Sequence, residues 1–142
     1  MGVLCDYFAA TSDEEAAAAI DRDGAPGGAV HGKGIDPVVQ MGTLEELLTG
    51  RDFEEILDGD ADVVAARDGG QRLVARLSTE VTDALAATTD ERLAEVAVPW
   101  SQTEEFWGEG DPDVLGSFLR DLAGLARDAR GRGQRLYCLV VV

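Results

Sequence analysis

Lysine is almost missing from this chain: Lys33 is the only one in 142 residues, and the arginines raise the bases to just 12 against 28 acids, a formal net charge of −16. A protein that binds nucleic acid by counterion release needs a stripe of Lys and Arg on one face, and here the arginines are scattered. Nucleic-acid binding is therefore excluded as an expectation, and an anionic membrane surface is disfavoured on the same ground. Cysteine is equally scarce. Cys5 and Cys138 each stand in an apolar stretch without a CxxC spacing, so two reduced, buried thiols are expected rather than a disulfide framework or a zinc cluster.

Long apolar runs are also lacking. No stretch approaches the 18 residues of a membrane span, and the opening MGVLCDYFAATSDEE has no basic region or apolar core of the kind a signal peptide carries. Asp6 stands where a myristoylation pattern needs Ser or Thr. A cytoplasmic protein without membrane or cofactor is the resulting expectation. What the chain does have is 45% apolar residues spread from end to end, and a chain of this length buries roughly 68–70% of its unfolded surface. A single domain over residues 1–142 follows.

Residues 3–9, VLCDYFA, read as a strand, and Ser12-Asp13-Glu14-Glu15 as a capping box that starts a helix through AAAAIDR. GAPGG at 24–28 ends it. Thr43-Leu44-Glu45-Glu46 is a second capping box, opening EELLTG, and DFEEILDG predicts a further short helix. VVAAR and QRLVARL, separated by Asp68-Gly69-Gly70, have the form of a β-hairpin. Ser78 or Thr79 caps a helix through Ala87, and Thr88-Thr89-Asp90-Glu91 caps another through Ala97. In DPDVLGSFLRDLAGLARDARGRG, Asp111 caps, Pro112 fits the first turn, and Leu115, Phe118, Leu119, Leu122, Leu125, Ala126 and Ala129 form one stripe. RLYCLVVV closes the chain as a continuous apolar strand, the pattern of a strand buried on both faces. The expected class is α+β: a single small sheet with the N- and C-terminal strands adjacent and several helices packed on it.

MGVLCDYFAATSDEE, LLTG at 47–50, the Pro99-Trp100 pair and the closing helix, glycine and apolar strand together resemble the YfbM-like family of small bacterial domains. The resemblance touches about half of the chain. That family tends to carry Asp-Lys and then a tryptophan ahead of LLTG, where this chain has Asp36-Pro37 and Val38-Val39. The resemblance implies a cytosolic α+β domain with no assigned activity and transfers no catalytic residue.

Motifs with chemical meaning are few. GGAVHGKGIDP has Gly27, Gly32 and Lys33 at the spacing of a phosphate-binding loop, but Gly34 replaces the hydroxyl and no strand precedes it. The same segment holds the only histidine, His31, with Lys33 and Asp36 nearby, a conceivable acid–base or ligand group. Asp58-Gly59-Asp60-Ala61-Asp62 imitates the start of a calcium loop whose later positions fail. No GxSxG is present, and no catalytic residue is assigned. VPWSQTEEFWGEGDPD, at 98–113, holds both tryptophans. Ser101-Gln102-Thr103-Glu104 reads as a fourth capping box, whose short helix turns Glu105 away from Glu104. Trp100, Glu105 and Trp107 line the first candidate surface, and His31, Lys33 and Asp36 the second.

Charge is unevenly distributed. Residues 111–142 carry four aspartates and five arginines, a net of +1, leaving −17 for residues 1–110. The expected function is a non-catalytic binding module for a basic protein partner, of the inhibitor or immunity type. The alternative is a small-molecule binder or unrecognised hydrolase with its pocket near Trp100 and Trp107.

Overall fold

A computed structural model describes residues 4–21, 28–32, 35, 37, 39–52, 54–55, 62–103, 106 and 110–142. The strands are β1 (Leu4–Ala10), β2 (Val30–His31), β3 (Asp62–Arg67), β4 (Arg72–Arg76) and β5 (Arg135–Val141). They form one antiparallel sheet in the order β2-β1-β5-β4-β3. The two ends of the chain are thus neighbours, as their shared apolar character predicts: Leu4 lies opposite Val141 and Ala10 opposite Arg135. β5 is central, and its Leu136, Tyr137, Cys138, Leu139 and Val140 are all buried, which accounts for a run without polar alternation.

The described helices are α1 (Asp13–Ala18), α2 (Val39–Thr49), α3 (Thr79–Ala87), α4 (Asp90–Ser101) and α5 (Pro112–Gly131). They cover the sheet unequally. Cys5 and Tyr7 of β1, with Leu136, Cys138 and Val140 of β5, point into a large core shared with α2 to α5. Phe8, Ala10, Val74, Tyr137 and Leu139 point to the opposite face, where α1 and a 3₁₀ turn at Ala19–Asp21 supply Ala16, Ala19 and Ile20 to a separate, smaller core.

Several starts are as the residues suggest. Ser12, Ser78 and Thr89 each accept an N–H bond as N-caps of α1, α3 and α4, and Asp111 caps α5 with Pro112 in its first turn. Thr89, rather than Thr88, does the capping at α4. The Asp68-Gly69-Gly70 link joins β3 to β4 with φ of 55°, 68° and 95°, left-handed values that favour glycine.

At two capping boxes the first residue lies inside a helix already under way. α2 already runs from Val39, and Thr43 sits inside it with its hydroxyl donating to the Gln40 carbonyl at 2.8 Å. α4 continues beyond Ala97, through Pro99 to Ser101, whose hydroxyl donates to the Val98 carbonyl at 2.6 Å. Ser101 therefore belongs to a helix end. Ser and Thr bond backward to a carbonyl one turn earlier as readily as forward to a free N–H, and burying Trp100 requires the extra turn of α4. The DFEEILDG helix, apart from Asp52, Glu54 and Glu55, and the Asp58-to-Ala61 part of the calcium-like loop lie outside the described residues.

Candidate functional site

Trp100 is fully buried at the end of α4. Its indole N–H is shared by the Gln40 carbonyl at 2.9 Å and the Thr43 hydroxyl at 3.2 Å. The ring meets Phe106 edge-on at 5.2 Å and lies at 6.3 Å from Phe118, which in turn meets Tyr7 edge-on at 5.5 Å. These rings tie α4, α5 and β1 together across the large core. Trp100 thus has neither a free donor nor an accessible ring face to offer a ligand, and its role is packing. Glu105 and Trp107 lie outside the described residues.

His31 is placed by backbone. It stands on β2 opposite Asp6 of β1, and the next residue, Gly32, donates its N–H to the Cys5 carbonyl at 2.8 Å. A Cβ on Gly32 would come within 2.7 Å of the Phe118 ring and 3.2 Å of Tyr7, so the strand lies close against the core here and only glycine fits. Tyr7 adds a second tie, donating its hydroxyl to the Ile35 carbonyl at 2.5 Å. Lys33 and Asp36 lie outside the described residues.

The carboxylate that meets His31 is Asp6, with Nδ1 to Oδ1 at 2.5 Å. An ionised carboxylate can only accept, so Nδ1 is the donor in this pair. The imidazole is 78% exposed and the aspartate 22%. Such an oriented ring is chemically competent as a base or a single ligand. Among the described residues no group of three His, Cys, Asp or Glu could hold a metal ion. Asp6 was not singled out from sequence, although a charged residue inside the apolar strand VLCDYFA was the signal that could have found it.

The third arrangement is electrostatic. Glu45, on α2, is only 3% exposed; it accepts from Arg51 Nη1 at 2.7 Å and from the Ser78 hydroxyl at 2.6 Å. This buried junction joins the end of α2 to the start of α3. Around it Glu46, Asp52, Glu54, Glu55 and Glu80 are exposed. Five arginines elsewhere are paired within the chain: Arg67 with Asp21, Arg76 with Asp13, Arg92 with Glu95, Arg127 with Asp90 and Arg130 with Asp83.

No protein family matches the chain, and no curated protein or solved structure matches it. No helix among the described residues is long and apolar enough to cross a membrane.

Proposed function

We propose that this chain is a cytosolic, non-catalytic binding module for a basic protein partner, of the inhibitor or immunity type, as its YfbM-like features allow. The observation that carries the reading is the exposed acidic surface at the junction of α2 and α3. Arg51, the base at its centre, is bound to the buried Glu45 at 2.7 Å and reaches Glu80 at 3.9 Å, while the side chains of Glu46, Asp52, Glu54, Glu55 and Glu80 are exposed. Fields of this kind accelerate encounter with an oppositely charged partner and weaken as salt rises. The tryptophan segment supports the same reading from the other side, since Trp100 is consumed by the core.

The test is a pull-down from native cytosol at low and high salt, followed by association kinetics with any captured protein. A triple variant, Glu46→Gln with Glu54→Gln and Glu55→Gln, removes exposed charge and leaves the Glu45 junction intact. The expected result is capture of a basic protein with an association rate that falls both with salt and in the variant. An unchanged rate in the variant rules out this face.

A second reading rests on the Asp6–His31 pair. A carboxylate-held imidazole is the arrangement a hydrolase uses to draw a proton from water or a nucleophile. On that reading, activity against a panel of activated esters and phosphoesters disappears in His31→Ala and drops in Asp6→Asn. Equal turnover by His31→Ala and the unaltered protein removes it.

A further inference from the structure

The two faces of the sheet are held by different means. Four strands and four helices share the large core, whereas α1 and its 3₁₀ turn bring only Ala16, Ala19 and Ile20 to the small one. A six-residue helix has little stability of its own, and alanines contribute far less burial energy than Leu or Phe. What lies beneath is larger and more apolar: Phe8 and Tyr137 stack at 5.9 Å beside Val74 and Leu139.

Polar bonds from the sheet make up the difference. Asp13 in the first turn accepts from the Tyr137 hydroxyl at 2.7 Å and from Arg76 Nη1 at 2.9 Å. At the far end Arg72 Nη2 donates to the Ile20 carbonyl at 2.6 Å and Arg67 pairs with Asp21 at 3.3 Å. The Asp13, Arg67 and Asp21 side chains are each between 45% and 64% exposed, so water and salt compete for these pairs.

We propose that residues 12–21 form a latched cover, which opens as a unit while the large core stays closed, and that Asp13 is its latch. The separation of the two cores is what allows it. Lifting α1 breaks the small core and its polar pins, yet leaves β1, β5 and β4 paired and backed by α2 to α5. Opening bares the Phe8–Tyr137 face of the sheet. Local openings of such units, well below the free energy of global unfolding, are the ordinary source of segmental amide exchange.

Hydrogen–deuterium exchange on the intact protein tests this. After correction for intrinsic rates, the bonded amides of α1 should exchange on the order of 100-fold faster than those of α5 and β5. Asp13→Asn, which keeps the shape and removes the charge, should speed α1 exchange about tenfold and leave α5 and β5 unchanged. Tyr137→Phe should act in the same direction and less strongly. Raising salt from about 0.05 M to about 1 M should speed α1 exchange in the unaltered protein, an arm that needs no variant to fold. The proposal is overturned if α1 exchanges at the rate of α5, if salt leaves α1 unmoved, or if Asp13→Asn speeds every segment equally.

Discussion

Trp100 donates its indole N–H to the carbonyl of Gln40, 2.9 Å away and 60 residues earlier in the chain. That bond joins the end of α4 to the first turns of α2, and the Thr43 hydroxyl shares it at 3.2 Å. Trp100→Phe keeps a ring in the core and loses the donor, leaving a small void and a weakened junction. The expected cost is roughly 1–3 kcal/mol of stability, read from urea unfolding. Binding of a basic partner should be unaffected, because no part of Trp100 reaches the surface. Lost binding in a variant that still folds would restore this residue to the candidate surface.

Cys5 and Cys138 provide a second test. Cys138 faces Tyr7 and Cys5 faces Val140 across the same strand pair, so the thiols are diagonal neighbours on one face of the sheet. Both are buried and unbridged. Diagonal positions lie about 7–8 Å apart at Cα, beyond the usual span of a disulfide. A thiol reagent should label neither cysteine in the native protein and both after denaturation. Fast labelling of either one under native conditions contradicts this packing.

The sheet itself can be cut. Deleting residues 138–142 removes Cys138, Leu139 and Val140 from the central strand, and these are 0%, 2% and 5% exposed. Each large apolar side chain contributes about 1.5–3 kcal/mol, against roughly 5–15 kcal/mol for a whole domain. The loss should abolish folding, because β1 and β4 both hydrogen-bond to this strand. A cooperative melt at the original temperature in the truncated protein would refute the central position of β5.

Gly32 is the point where β2 approaches the core. Its φ is not in the left-handed region, so the demand for glycine is purely steric: a Cβ would sit 2.7 Å from Phe118 Cε1. Gly32→Ala should cost about 1–3 kcal/mol through displacement of a buried ring. Pairing Gly32→Ala with Phe118→Leu should recover part of that loss, since the smaller side chain gives the methyl room. Additive losses in the double variant would show that the clash is not with this ring.

The sequence disclosed the elements whose signals are local and continuous. β1, β5, the β3–β4 hairpin and α5 each carry a run of seven or more residues in which pattern, turn chemistry and ends agree. The capping boxes at Thr43 and Ser101 misled because the same four residue types serve a helix interior, where the hydroxyl bonds back to an earlier carbonyl. Only the demand of a distant core for Trp100 decides between the two. The Asp6–His31 pair was hidden for a related reason: it depends on which strand lies beside β1, and 25 residues separate its members. Glu45 likewise gave no sign of burial, since Glu45 and Glu46 look alike until Arg51 and Ser78 are folded against one of them.

Stability at high pH follows from Tyr137. Its phenol is buried and donates to the Asp13 carboxylate, and these two causes, burial first, push its pKa from the ordinary 10.0 up to about 12. The fold therefore holds the neutral phenol and disfavours the phenolate. At a pH between the two values the unfolded chain has released this proton and the folded one retains it, so folding becomes less favourable as pH rises. The contribution is fully present below pH 10 and is lost progressively up to about pH 12. Two pKa units correspond to roughly 2–3 kcal/mol. Urea unfolding at several pH values between 9 and 12 should show a steeper decline in the unaltered protein than in Tyr137→Phe, which keeps every other titrating group. Parallel declines in the two proteins would mean that Tyr137 ionises without penalty in the fold, and that its bond to Asp13 is not retained in solution.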